Sequence, residues 1–179
     1  SLLKGRKMIN LDSDIEGIIT AGCAGGVTVD ITLPYEKVKV ADGLYTVTVS
    51  GLLGGHSGSE INKGRENAIK ILAEIIHGSE LAMINGGDAD NAIPRSATAI
   101  IRPASLDILK KRIASALSVY SENEKEINIT VSEYPGKEWA FSKEDSERIT
   151  DLIGKIPTGV HKMSEEIEGL PETSSNLGI

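Results

Sequence analysis

The chain has 179 residues, 40% of them hydrophobic but only 3% aromatic, so its length and composition predict one domain with an aliphatic core. A formal net charge of −7 argues against nucleic acid and anionic membranes as partners, because both attract basic surfaces. No apolar run is long enough for a membrane-spanning helix, and the single cysteine, Cys23, favours a cytoplasmic protein without disulfides.

Residues 7–33 predict short strands separated by glycine-rich turns. KMINL at 7–11 is typical of a buried strand that leads into an acidic turn. VTVDITL at 27–33 alternates apolar and polar side chains, which indicates a half-buried strand. The chain begins without Met close to the first strand and ends within an apolar run, so we expect a fragment of a larger protein.

The segment from residue 43 to residue 134 has an orderly alternation of strand and helix patterns. Strands are predicted within 44–51, 81–86, 91–103 and 127–134, and helices over 61–78 and after the N-cap residue Ser105. The order strand, helix, strand, strand, helix, strand is that of the ferredoxin-like split βαβ fold. We therefore predict an α+β domain in which two helices cover one face of a four-stranded antiparallel sheet.

The other face of this sheet is predicted to be semi-polar, since it carries Thr46, Thr48, Asn128 and Thr130. It would face solvent, a partner subunit or the rest of a larger enzyme. Beyond Tyr134 the pattern predicts a third helix over 141–156, capped by Ser142, and then an irregular segment that ends in a returning strand.

The stretch GLLGGHSGSE at 51–60 places a histidine, His56, in a glycine-rich turn between a strand and a helix. Such a turn allows the backbone to approach a ligand closely, and an exposed histidine there can donate a hydrogen bond to an oxyanion. The simpler alternative is a tight turn in which Ser57 and Glu60 form a capping box and His56 is only solvated. The spacing alone favours this alternative.

Three other positions have side chains suited to ligands. Asp12 follows a predicted strand directly, so its carboxylate is placed to bind a metal, although an acidic turn is the simpler explanation. Arg102 ends a strand and offers a guanidinium that suits a carboxylate, or a surface ion pair. Asn91 precedes Ala-Ile-Pro, where it could contact a ligand or start a turn. Because no recognisable ligand spacing is present, a complete zinc site is not expected within this chain.

Several motifs follow one another in an order that resembles a known protein family. They are NLDSDIEG, GCAGG, GLLGGHSGSEIN, KGREN, NGGDADNAIPRSA and KMSEEIEGLPETSSNLG. The series resembles the aminoacyl-histidine dipeptidases (Xaa-His dipeptidases) of the di-zinc aminoacylase and carboxypeptidase superfamily. The resemblance runs from about residue 8 to the end of the chain and is weakest between 103 and 155.

The resemblance implies a two-zinc catalytic domain that is interrupted by a lid, or dimerisation, domain. Residues 1–26 would end the first catalytic segment, 27–167 would form the lid with its core at 43–133, and 168–179 would return to the catalytic domain. The implied protein is a cytoplasmic homodimer that hydrolyses dipeptides of the Xaa-His type. The remaining zinc ligands and the general base would lie outside this chain, which alone would be inactive.

The resemblance also implies a role for each candidate residue. Asp12 matches a zinc ligand, and His56 matches the lid histidine that stabilises the oxyanion, commonly in the active site of the partner subunit. Asn91 and Arg102 match positions that hold the substrate, Arg102 by its terminal carboxylate. The alternative is a self-standing ferredoxin-like module that binds a small ligand or dimerises.

Overall fold

A computed structural model describes residues 17, 25–39 and 43–179. The chain divides into two compact units, Ser1–Ile31 and Thr32–Ile179, and the described helices and strands lie in the second. The predicted strand at 7–11, Asp12 and Cys23 lie outside the described residues. The strands are β1 (Lys37–Lys39), β2 (Tyr45–Ser50), β3 (Gly55–His56), β4 (Glu80–Gly86), β5 (Ala92–Ile93), β6 (Ala97–Arg102), β7 (Asn128–Glu133), β8 (Trp139–Phe141), β9 (Gly159–Met163) and β10 (Pro171–Ser175). The α-helices are α1 (Ala68–Ile76), α2 (Leu106–Tyr120) and α3 (Lys143–Lys155).

The central sheet has four strands in the order β4-β6-β2-β7, and every neighbouring pair is antiparallel. With α1 and α2 in the crossover connections, this is the predicted ferredoxin-like arrangement, so the α+β prediction is confirmed. Val47 of β2 lies opposite Ala99 of β6 on one side and Val131 of β7 on the other, so β2 is a central strand.

One face of the sheet and the three helices enclose the main core. Val47, Val49, Ala99 and Ile101 are each 0% exposed, because alternate residues of β2 and β6 point to this face. Helix α1 buries seven of its nine residues against them. Each large aliphatic side chain buried in this way contributes on the order of 1.5–3 kcal/mol. The core is therefore aliphatic, as the composition predicts.

Helix α1 is shorter than the helix predicted over 61–78. Residues Ile61–Lys63 form one turn of 3-10 helix, and Gly64 then adopts a left-handed conformation with φ 64°. The α-helix begins only after Asn67, whose side chain accepts hydrogen bonds from the N–H groups of Ile69 and Lys70. The left-handed glycine and this cap separate the two helical segments.

Helix α3 confirms the prediction of a third helix with Ser142 as its N-cap. Ser142 Oγ accepts a hydrogen bond from the N–H of Asp145 at 3.0 Å. At the other end, Lys70 Nζ donates to the carbonyl oxygens of Ile153, Gly154 and Ile156, each at 2.7 Å. A cation at the carboxyl end of a helix is favourable because the last carbonyl groups lack helical partners. Lys70 thereby joins α1 to α3.

The strand predicted over 27–33 was wrong. No strand is present from residue 25 to residue 36, and Val27, Val29 and Ile31 are 90%, 72% and 54% exposed. Alternation indicates which side chains could share a face, but a strand also needs a neighbour that satisfies its backbone N–H and C=O groups. None of the described strands pairs with this segment.

The last part of the chain is a hairpin in which β9 and β10 pair antiparallel. A strand is thus present near the end of the chain, as the sequence predicts, whereas β9 lies in the segment that was predicted to be irregular. Among the residues that the structure describes, no helix has the length and apolarity needed to span a membrane.

Candidate active site at the glycine-rich loop

His56 lies on the short strand β3, which pairs with β5 so that His56 is opposite Ala92. The preceding Gly54 and Gly55 have φ values of 59° and 138°, which residues other than glycine rarely adopt. A Cβ on Gly54 would also lie 2.1 Å from Cγ of Arg95. Glycine is therefore required here for the loop to present His56 at the surface.

The imidazole of His56 is held in one orientation by its own loop. Its Nδ1 accepts hydrogen bonds from the N–H groups of Gly58 at 2.9 Å and Ser59 at 3.3 Å. Because Nδ1 is the acceptor, the hydrogen-bond pattern assigns the proton of the neutral ring to Nε2. The side chain is exposed, and no described residue bonds to Nε2. His56 therefore presents a fixed N–H donor to solvent.

Glu60 and Arg65 hold the loop from its inner side. Glu60 Oε2 accepts from the N–H of His56 at 3.0 Å, and Glu60 Oε1 accepts from Lys63 Nζ and Arg65 Nη2, both at 2.9 Å. Arg65 also donates to the carbonyl oxygen of Gly54. No α-helix starts at Ser57, so the capping box considered from the sequence is not formed. The Glu60 carboxylate supports the His56 loop instead.

We expect the Glu60 contacts to depend on pH. The hydrogen bond from Lys63, the N–H of His56 and the nearby Arg65 lower the pKa of Glu60 from 4.5 to about 2. A lowered carboxyl pKa stabilises the fold fully above pH 4.5, and the contribution disappears as the pH falls toward 2. The Glu60→Gln variant should therefore be less stable than wild type near neutral pH and equal to it at the acid limit. Denaturant unfolding across this range measures the difference, and a pH-independent difference would contradict the assignment.

Asn91 lies beside His56. The N–H of Ser57 donates to the carbonyl oxygen of Asn91 at 2.8 Å, and the next residue, Ala92, is the β-bridge partner of His56. The Asn91 side chain is exposed. The structure thus brings together two of the four candidate residues.

Arg102 lies at the end of β6 that is farther from His56 and Asn91. Five residue steps separate it from Ala97, which is about 16 Å along a strand. Arg102 Nη2 donates to Oε1 of Glu80, its neighbour across β4, at 2.5 Å. Arg102 is therefore not brought together with His56, and the fourth candidate, Asp12, lies outside the described residues.

Glu124 is a buried residue that supports the His56 loop and that the sequence analysis did not identify. Its side chain is 0% exposed, and its two oxygens accept from the N–H groups of Leu53 at 2.7 Å and Glu66 at 3.0 Å. It joins the segment before β3 to the segment before α1. Burial, together with the nearby carboxylates of Glu124 and Glu74, raises the pKa of Glu66. The surrounding sequence SENEKE has the pattern of a solvated loop and gives no sign of this burial.

Arg95, also missed from the sequence, lies at the same end of the fold as His56. Arg95 Nε donates to the carbonyl oxygen of Leu52 at 3.2 Å, and the residue is exposed. It lines a cavity of about 350 Å³ together with Glu60, Arg65 and Asp88. A larger cleft of about 650 Å³ lies between the three helices and has no residue of the His56 loop in its lining.

The described part of the chain has no cluster of three or more His, Cys, Asp or Glu residues that could hold a metal ion. The residues gathered here can bind and orient a ligand, and His56 can donate a proton in a hydrogen bond. A metal-dependent reaction would require ligands from elsewhere in the protein.

The chain is similar in sequence and in structure to peptidases. Residues 47–125 match the family model described as a peptidase dimerisation domain. The cytosol non-specific dipeptidase of Escherichia coli K12 is 34% identical over 186 residues, which cover 96% of this chain and 38% of that protein. The crystal structure of aminoacylhistidine dipeptidase from Vibrio alginolyticus has a TM-score of 0.74 and 29% identity, covering 82% of this chain and 33% of that one. The chain thus spans less than two fifths of the length of either relative.

Proposed function

Because residues 47–125 match the family model of a peptidase dimerisation domain, we propose that this chain forms the lid of a zinc-dependent dipeptidase. The observation that carries the proposal is the exposed Nε2–H of His56, which its own loop fixes in orientation. The names of the two relatives support dipeptides as the substrates, with Xaa-His dipeptides among them. The family match also supports this function over a self-standing ligand-binding module.

His56 would act on the transition state of peptide hydrolysis. When water attacks the scissile carbonyl, the oxygen gains negative charge, and a donor that is already oriented stabilises it without reorganisation. The Nε2–H of His56 meets this requirement. Zinc, when bound, would supply the Lewis acidity for the carbonyl and the attacking water. Its ligands would lie outside the described residues, and Asp12 would be one of them.

Asn91 would bind the substrate next to His56. Its exposed amide can donate to and accept from a peptide group, and its backbone is tied to the His56 loop by the hydrogen bond from Ser57. The two side chains would therefore approach one substrate together.

His56 and Arg102 would serve two different active sites. A dipeptide backbone spans about 7 Å, whereas the strand between the two ends of the lid is about 16 Å long. The Arg102 guanidinium is bound to Glu80 at its own end, so it does not extend toward His56. In a homodimer, each lid would then offer Arg102 to the substrate of its own chain and His56 to that of the partner subunit.

The chain would contribute to three parts of the whole enzyme. Residues 1–26 would end the first catalytic segment, 27–167 would form the lid, and 168–179 would lead back to the catalytic domain. The relative named as a cytosol dipeptidase supports a cytoplasmic location for the whole enzyme.

Mixing of subunits tests the two-site arrangement. Full-length His56→Ala and Arg102→Ala enzymes should each be nearly inactive. After random subunit exchange, half of the dimers are mixed, and each mixed dimer has one site with both residues intact. Dipeptidase activity should therefore recover to about one quarter of that of wild type.

Each enzyme exchanged with itself is the control, and it should show no recovery. If His56 and Arg102 acted in the same site, every site of a mixed dimer would lack one of them, and activity would stay at the level of the single variants. That result would contradict the arrangement.

A further inference from the structure

The chain that follows β10 is bonded to the back of the candidate site. We call Asn176–Gly178 the return segment. Asn176 Nδ2 donates to the carbonyl oxygen of Ala92 at 2.7 Å, and Asn67 Nδ2 donates to the carbonyl oxygen of Leu177 at 2.8 Å. The Leu177 side chain packs against the main core. The return segment is therefore fixed to the lid at each of its first two residues.

The bond from Asn176 reaches the strand that carries the site. Its acceptor, Ala92, is the β-bridge partner of His56, and the residue before it, Asn91, accepts the hydrogen bond from Ser57. The carbonyl group that Asn176 binds therefore belongs to the residue that pairs with His56 and directly follows Asn91 in the chain. A shift of Asn176 would move both candidate residues together.

Glycine allows the return segment to pack directly on the backbone of this turn. A Cβ on Gly178 would lie 2.7 Å from the carbonyl oxygen of Asp90 and 2.9 Å from that of Ala89. A Cβ on Gly87 would lie 1.7 Å from the carbonyl oxygen of Gly178. With no side chain between the two backbones, the position of one determines the position of the other.

The hydrogen bonding of Asn176 indicates a role beyond stability. Asn176 Oδ1 is buried and has no hydrogen-bond partner, the only such side-chain atom among the described residues. Flipping the amide would place Oδ1 against the carbonyl oxygen of Ala92, so the orientation is determined. Asn67, by contrast, uses both of its side-chain atoms. A buried acceptor without a partner destabilises a fold, so an unsatisfied group of this kind calls for an explanation.

We propose that Asn176 is a positioning residue for the reaction, which sets the placement of His56 and Asn91 through its hydrogen bond to Ala92. This inference rests on the proposed function. Asn176 would not touch the substrate. It would connect the strand that leads out of the lid to the loop that presents the oxyanion donor.

The test uses the full-length enzyme with Asn176→Asp, which replaces the donor by a carboxylate, and Asn176→Ala, which removes it without adding charge. Both should lower kcat by about 10–100-fold, because a small misplacement of a catalytic donor is costly, while KM should rise by a smaller factor through the misplaced Asn91. If Asn176→Asp does not fold, Asn176→Ala carries the test. Asn62→Asp is the matched control, since Asn62 Nδ2 also bonds a distant carbonyl, that of Gly169, at 3.1 Å. Its kcat should stay near that of wild type.

A double-mutant cycle separates positioning from general destabilisation. If Asn176 acts through His56, then Asn176→Ala should lower kcat much less in a His56→Ala background than in wild type. The inference would be overturned if Asn176→Ala lowered kcat by the same factor in the His56→Ala background as in wild type. An unchanged kcat in Asn176→Ala, or an equal loss of kcat in Asn62→Asp, would also overturn it. If His56→Ala itself kept full turnover, the proposed function would fail first, so the two failures are distinguishable.

Discussion

Replacing His56 with alanine in the full-length enzyme is expected to lower kcat by about 10²–10³-fold, the usual effect of removing one oxyanion donor. KM should change little, because the Nε2–H is needed most when charge develops on the carbonyl oxygen. The loop should keep its shape, since Glu60 still bonds the backbone N–H of His56, and the N–H groups of Gly58 and Ser59 that lose Nδ1 are exposed and can bond water instead. The expected defect is therefore one of catalysis rather than folding.

His77→Ala is the matched control for this experiment. His77 is also exposed, but it lies at the end of α1 and bonds Asp151 of α3. Its removal should leave kcat unchanged. Bound zinc, measured by elemental analysis, should be the same in wild type and both variants. Normal turnover in His56→Ala would contradict the role of His56, and loss of zinc would place its effect on the metal instead.

Replacing Glu124 with alanine should give the largest loss of stability among single substitutions at the site. The variant leaves the N–H groups of Leu53 and Glu66 without their buried acceptor. An N–H group left without a partner costs up to about 1–3 kcal/mol, so the loss of both of these partly buried bonds should lower the free energy of unfolding by about 2–6 kcal/mol. Denaturant unfolding measures this difference.

Glu122→Ala is the matched control, because Glu122 is exposed and lies only two positions away. Its free energy of unfolding should stay within about 0.5 kcal/mol of wild type, as is usual for a surface substitution. Glu124→Gln should lose less stability than Glu124→Ala, since the amide oxygen can still accept one of the two bonds. If Glu124→Ala and Glu122→Ala were equally stable, the structural role of Glu124 would be disproved.

The sheet could be predicted from the sequence because its strands have a clear period and short connections. Val47 and Val49 alternate with threonines, and the helical stripe of α1 begins and ends near polar or glycine residues. The same reasoning failed for 27–33, where the alternation is equally regular but none of the described strands pairs with the segment. Periodicity is a property of one segment, whereas a strand forms only where a second strand can pair with it.

The candidate site was only partly predictable for a similar reason. The glycines around His56 mark an unusual loop, but the neighbourhood of His56 and Asn91 depends on the pairing of β3 with β5. Glu124 and Asn176 act on backbone groups that are 71 and 84 residues away in the sequence. Contacts of this kind leave no local pattern, so only the folded chain identifies them.

The central claim is that His56 completes a hydrolytic site in a dipeptidase dimer. A crystal structure of the full-length enzyme with a phosphinate dipeptide analogue tests it most directly, because the phosphinate oxygen stands for the oxyanion of the tetrahedral intermediate. We expect His56 Nε2 about 3 Å from that oxygen, in the active site of the partner subunit. A bound analogue whose oxygens all lie beyond hydrogen-bond distance of either His56 would contradict the claim.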